Sequence, residues 1–280
     1  MTTLLAPIRP ALPSFSVTAG ELRALVAVAR RQPGDATPSA PSTGADPVVL
    51  EALVLRQLLR RDEDGALGLP EGPLGGVIEV MAASHVQLQV RHITASPTVT
   101  AWFALTPAVG VELRQQTDES WGVTAFPTRN LLVRMVDLVG LVDREPPAVE
   151  SFETDGIALE QCADRLALGD REAAGQSLLS GGASELSVRA FLGAFERRIA
   201  TNAVVGSESS SGPRSSGVFA WFDSDDWGLW RVPLPDPSSD ASVMVGSLSA
   251  LGVCMGWANL LPVVDDPGWA EVIVPFGPRA

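Results

Sequence analysis

Polar and apolar residues alternate over residues 86–93. Val86, Leu88, Val90 and His92 fall on one side, and Gln87, Gln89 and Arg91 on the other. That is the pattern of a half-buried antiparallel strand. Further strands are predicted at 98–105, 111–115 and 121–126, with turn residues Ala95-Ser96-Pro97 and Thr106-Pro107 between the first of them. Helical spacing precedes the strands. Residues 19–31 put Leu22, Leu25, Val26 and Ala29 on one face, behind a capping box of Thr18 and Glu21. A second helix opens at Asp46-Pro47 and runs on Val49, Leu50, Leu53, Leu55, Leu58 and Leu59 to residue 61. A short strand at 66–69, a third helix at 72–84 and, after the strands, a helix at 128–141 complete the series.

The series then repeats. Helices are predicted near 156–168, 170–179 and 184–198, strands at 199–205, 217–222, 229–234 and 242–245, and a helix at 247–261. A last strand, 269–274, suits an edge position. Ala101-Trp102-Phe103 reappears 119 positions later as Ala220-Trp221-Phe222, and Thr128 and Ser247, read as helix caps, lie the same distance apart. A period this long is not that of a solenoid. The predicted fold class is α+β: a pseudo-twofold duplicated unit with a central, mostly antiparallel sheet flanked by helical bundles. The whole chain, 1–280, reads as one body with halves 12–142 and 157–275 and a connector at 143–156. Residues 32–47 and 206–216 read as flexible loops.

Net charge is −13, with 33 acidic residues against 20 basic ones. That disfavours a nucleic-acid backbone as partner, because binding one needs clustered cations. Every basic residue is Arg, and Tyr is absent. A Schiff-base lysine, a P-loop lysine and a tyrosine acid or base are therefore excluded. Such Lys-free, Ala/Gly/Pro/Arg-rich usage suits a high-GC bacterial genome. Cys162 and Cys254 form no C-x-x-C pair and read as buried free thiols in a reducing cytoplasm. Residues 1–11 have no basic region ahead of a long apolar run, so no signal peptide is expected.

Candidate chemistry is sparse. His85 and His92 lie seven apart on one strand, face opposite ways and cannot chelate one metal together. Asp223-Ser224-Asp225-Asp226-Trp227-Gly228 begins like a calcium loop but fails at Trp227 and Leu234, so a hairpin turn is the better reading. No metal and no cofactor are predicted. Residues 243–264 carry no charge up to Val264, yet the small and large apolar residues separate onto two stripes, as in a buried helix. Trp221, matched by Trp102, reads as core. Trp227 and Trp230 have no aromatic counterpart in the first half and are the interface candidates.

The arrangement resembles the EspG family, cytosolic chaperones of mycobacterial and related actinobacterial ESX (type VII) secretion systems. The likeness rests on Phe15-Ser16-Val17-Thr18-Ala19-Gly20-Glu21-Leu22, similar to the family's opening strand and T-x-x-E-L helix start. It rests also on the hairpin after residues 86–93 and on Phe219-Ala220-Trp221-Phe222-Asp223-Ser224-Asp225. The resemblance implies a non-enzymatic chaperone that binds the apolar tip of a PE–PPE heterodimer through the PPE subunit and holds it soluble in the cytoplasm until secretion. It places contacts on the first-half hairpin (Ile93, Thr94, Ser96), on the sheet and on the C-terminal helix (Leu248, Leu251, Met255). An apolar patch suits such a role, and no reactive side chain is required. The competing reading is an enzymatic or small-ligand-binding α+β protein with a cleft between its halves. A third is a subunit that forms a homodimer through the Trp227/Trp230 hairpin or the last strand. Neither stable membrane insertion nor nucleic-acid binding is expected.

Overall fold

Local capping chemistry starts the chain. Strand β1 (Ser14–Thr18) enters helix α1 (Ala19–Ala29) through a complete capping box: Thr18 Oγ1 accepts from the Glu21 N–H at 3.1 Å, and the Glu21 carboxylate accepts from the Thr18 N–H at 2.7 Å. The computed structural model describes residues 13–30, 46–84, 86–95, 98–144, 151–208, 215–233 and 242–261. Of the predicted loop at 32–47, residues 32–45 lie outside them, as do 209–214 of the predicted loop at 206–216 and the predicted strand at 269–274; residues 206–208 and 215–216 are in strands rather than loop.

Helix α2 (Pro47–Leu55) is capped by Asp46, which accepts from the Val48 N–H. The apolar pattern carries this helix to residue 61, but it ends at Leu55. Gln57 takes a left-handed φ of 56°, and the turn it makes buries both Leu58 and Leu59. Arg60–Arg61 then forms β2, paired with β3 (Leu67–Gly68). Arg56, at the turn, donates to the Glu21 carboxylate and to the Ser16 carbonyl, tying the end of α2 to the start of α1. Helix α3 (Pro73–Ala83) follows.

The strands after α3 are β4 (Val86–Thr94), β5 (Val99–Leu105), β6 (Val109–Gln115) and β7 (Ser120–Pro127). A 3-10 turn, Thr128–Asn130, leads to α4 (Leu131–Val139). From β8 (Phe152–Asp155) the chain runs through α5 (Gly156–Ala167), α6 (Arg171–Ser180) and α7 (Glu185–Glu196). It then forms β9 (Arg198–Glu208), β10 (Ser215–Ser224), β11 (Gly228–Arg231), β12 (Ser242–Leu248) and α8 (Ala250–Ala258). Setting aside the small β2–β3 pair, the order strand, three helices, four strands, helix occurs twice. The strand order of the large sheet is β1-β7-β6-β5-β4-β9-β10-β11-β12-β8. It reads as a palindrome about the β4–β9 pair, with β1 matching β8 and β7 matching β12. The pairs β1–β7, β7–β6, β4–β9, β9–β10, β10–β11, β11–β12 and β12–β8 are antiparallel. The fold is α+β.

The helix-cap expectation needs one correction. Thr128 is buried and donates to the Thr106 carbonyl at 2.7 Å rather than capping a helix, and Ser247 lies in β12 opposite Trp230. The caps are Asn130 and Ser249, two residues further on, and Ser249 Oγ accepts from the Gly252 N–H.

Two compact units result, Met1–His85 with Trp102–Thr128, and Val86–Ala101 with Arg129–Ala280. In the first, α1, α2 and α3 close over Ala104, Val111, Val123 and Ala125, with Leu25, Leu53 and Ile78 at the centre. In the second, α5–α7 close over Phe222, Trp230 and Val245. Phe191 of α7 is the hub there, its ring 5.9–6.0 Å from those of Phe152, Phe222 and Trp230.

Candidate partner-binding surface

Within the second unit, strand registers sort the side chains of β4, β9 and β10 onto two faces. The rows Val90–Val204–Phe219 and His92–Asn202–Trp221 lie on one face. Helix α8 covers this face: Trp257 packs on Trp221 with ring centroids 5.4 Å apart, and a Cβ at Gly256 would stand 2.3 Å from the Phe219 ring. Beyond α8, Leu260 sits over Gly206 and Gly217, which are register partners; added Cβ atoms there would come within 2.9 Å of the Leu260 carbonyl oxygen and 2.8 Å of its side chain.

The alternate rows lie on the other face: Gln89–Val205–Val218, Arg91–Ala203–Ala220 and Ile93–Thr201–Phe222. Phe222 is buried under α7. The rest is open. Ile93 is 40 %, Ile199 46 % and Val218 47 % exposed, Arg91 is exposed, and Ala203, Val205 and Ala220 are half-buried. The buried row of β9, Ala200, Asn202 and Val204, carries one polar residue, Asn202. Asn202 is satisfied by His92, with Nδ1 2.6 Å from its Oδ1.

The residues singled out from the sequence do not form one patch. Ile93 belongs to the open face. Thr94, one residue on, points the opposite way. Ser96 lies outside the described residues. Leu251 and Met255, four apart on α8, are exposed and Leu248 is half-buried, all on the α8 side of the sheet. Trp230 requires correction as an interface candidate. It is fully buried, stacks on Phe222 at 6.3 Å and 4°, and donates from Nε1 to the Trp227 carbonyl at 2.8 Å. Trp227 is half-buried and rests on α7, where an added Cβ at Gly193 would stand 3.3 Å from its ring. Trp221 is buried, as expected, but Trp102, the match that supported that reading, is exposed. Ile199, Ala203, Val205, Val218 and Ala220 were not anticipated; the one sequence signal for them is that 199–205 is apolar at both parities.

The acidic hairpin turn is held by arginines. Arg144 Nε lies 3.2 Å from Asp223 Oδ1, Arg144 Nη1 lies 3.1 Å from Asp225 Oδ1, and Arg197 Nη1 lies 2.8 Å from Asp226 Oδ2. Burial raises the Asp223 pKa above its ordinary value, and Arg144 opposes that shift. Among the described residues no three His, Cys, Asp or Glu side chains are grouped to hold a metal. Cys162 and Cys254 are free and buried, and burial pushes the Cys162 thiol up to about 11 and Cys254 upward as well, which suppresses thiolate chemistry. A groove of ≈ 540 Å³ between α6 and α7 is lined by Arg171, Leu179, Glu185, Val188, Arg189 and Leu192 among others. No helix among the described residues is long and apolar enough to cross a membrane.

No protein-family model matches the chain, and no curated protein matches it by sequence. Solved structures do match its fold. One is the complex of the Mycobacterium tuberculosis type VII secretion system chaperone EspG5 with the PE25–PPE41 dimer, at 12 % identity and a TM-score of 0.61, covering 91 % of this chain and 99 % of that one. At that identity the match speaks to architecture, and the chain has an EspG-like fold.

Proposed function

We propose that this protein is a cytoplasmic chaperone of a type VII secretion system. In this reading it binds a PE–PPE heterodimer through the PPE subunit and keeps it soluble for export, with no catalytic step of its own. The observation that carries the reading is the uncovered β4–β9–β10 face. Two large aliphatic side chains, Ile93 and Val218, stand in solvent beside a floor of Ala203 and Ala220, and Ile199 is exposed at the register shift near the start of β9. Exposed aliphatic side chains clustered on strands that are otherwise well buried support a binding surface. The fold match adds support, because that chaperone is seen with a PE–PPE dimer. The exposed Leu251–Met255 stripe on α8 is a second, separate contact candidate.

The test is co-expression of the chain with a PE–PPE pair from the same genome, followed by size-exclusion chromatography. A stable ternary complex is expected, and Ile93→Asp combined with Val218→Asp should abolish it while leaving the fold intact. A double variant that still co-elutes with the dimer would place the interface elsewhere.

A further inference from the structure

The open face is not uniformly apolar. Arg91 stands at the β4 end of its middle row, exposed, between Gln89 and Ile93 on β4 and opposite Ala203, which in turn pairs with Ala220. The two alanines leave a shallow trough across β9 and β10 in the same row as Arg91, about 10 Å across at the usual strand spacing. Arg91 has no hydrogen bond or ion pair to any described residue. The described side chains of this face on β4, β9 and β10 include no Asp or Glu. That contrasts with Arg56, Arg144 and Arg197, each paired to a carboxylate. Other exposed arginines, such as Arg114 and Arg165, also meet no carboxylate among the described residues, but Arg91 is the one set in this largely apolar face, where in a chain of net charge −13 it is charge left for a partner to meet.

We infer that Arg91 is the polar anchor of the interface and receives a side-chain carboxylate from the partner. The partner segment is then an apolar loop carrying one Asp or Glu, its aliphatic side chains against Ile93 and Val218 and its carboxylate over the Ala203–Ala220 trough. The physical reason is cost. An apolar loop laid across the face strips water from the guanidinium, and without an acceptor that desolvation would cancel much of the gain from the aliphatic contacts. A carboxylate accepts two parallel N–H donors from Arg and restores the balance, while a partner without an acid is rejected. This inference rests on the chaperone reading and adds the chemistry that selects the partner.

The experiment uses the full chain and the purified PE–PPE heterodimer as probe, with affinity read by titration calorimetry. Arg91→Ala and Arg91→Glu are compared with the unaltered chain, and each Asp and Glu of the dimer's exposed helical tip is replaced in turn by its amide. Arg91→Ala should weaken binding about tenfold or more, the size of one charge-assisted bond. One amide variant should lose a similar factor against the unaltered chain and nothing further against Arg91→Ala. Arg91→Glu should regain affinity when that partner carboxylate is replaced by Arg. Arg91 is exposed, so its variants should melt with the unaltered chain, and a thermal scan checks this. Unchanged affinity for Arg91→Ala, or a loss that no partner acid shares, overturns the inference and leaves the chaperone reading standing. Failure of the unaltered chain to bind the dimer overturns both.

Discussion

Replacing Trp230 by Ala separates a core role from an interface role. The indole is fully buried against Phe191 and Phe222 and donates to the Trp227 carbonyl. A buried Trp removes about 150–250 Å² from water, worth roughly 4–6 kcal/mol at 25 cal/mol per Å² as an upper bound. Measured truncations of this kind cost about 3–5 kcal/mol, and the lost hydrogen bond lies within that range. Trp230→Ala should therefore destabilise the chain by about 4 kcal/mol, seen as a fall of roughly 8–16 °C in melting temperature. Trp230→Phe keeps a ring for the Phe222 stack and should cost about 1–2 kcal/mol, so it remains folded if the alanine variant does not. Melting followed by circular dichroism measures stability, and co-elution with a PE–PPE dimer measures binding; Trp230→Phe should bind as the unaltered chain does. A Trp230→Ala protein that melts within 1 °C of the unaltered chain but no longer co-elutes would refute the packing assigned to α7 and β10–β11.

Ile93→Asp and Val218→Asp singly should change stability by less than about 0.5 kcal/mol, because both side chains already face solvent; a large drop in urea midpoint for either would mean the face is covered. Calcium should not stabilise the acidic turn, since Asp223, Asp225 and Asp226 are all met by arginine: the melting temperature should be the same in EDTA and in excess Ca²⁺, and a rise with Ca²⁺ would restore the metal reading. Glu21→Gln should destabilise by about 1–3 kcal/mol at neutral pH through lost bonds to Arg56 and the Thr18 N–H. Burial works against the Glu21 carboxylate, but those partners hold its folded pKa below the ordinary 4.5. Its contribution is thus full above 4.5 and is lost as pH falls through the lowered value, so the stability gap to Glu21→Gln should close in acid. A pH-independent gap would show that packing, not charge, is lost.

Local chemistry was legible in the sequence. The Thr18–Glu21 box and the Asp46 cap act over two or three residues, and each is found as expected. Non-local packing was not. Leu58 and Leu59 continue a helical period, and no residue type at Gln57 announces the left-handed turn that buries both. The open face was hidden for a different reason. Alternation identifies a buried side only when the other side is polar, and 199–205 is apolar at both parities, so the pattern is silent on which row α8 covers. Burial of Asn202 depends on His92 of a strand 110 residues away, a partnership no local window contains. Trp230 was misassigned by the same logic, since its partners Phe191 and Phe222 belong to other elements.

The repeated Ala-Trp-Phe strand shows how a sequence match misleads when strand phase is the issue. The 119-residue offset holds for the helices: α4 begins at Leu131 and ends at Val139, and α8 begins at Ala250 and ends at Ala258. It fails for the face of the tryptophans. In the first unit, Ala104 is packed under α1–α3, and Trp102, two residues earlier, shares its side of β5. In the second unit, Phe222 is packed under α5–α7, and Trp221, one residue earlier, points the other way, onto Trp257 of α8. Each Trp thus has its own answer to which helices it faces, and a one-residue difference in phase is enough to produce it. The outcome is visible in burial, with Trp102 41 % exposed and Trp221 1 %. On β10 the position with the phase of Trp102 is Ala220, part of the trough beside Arg91. Where β5 carries an exposed indole, β10 carries a methyl group, and that exchange of bulk for space leaves the second unit's face open.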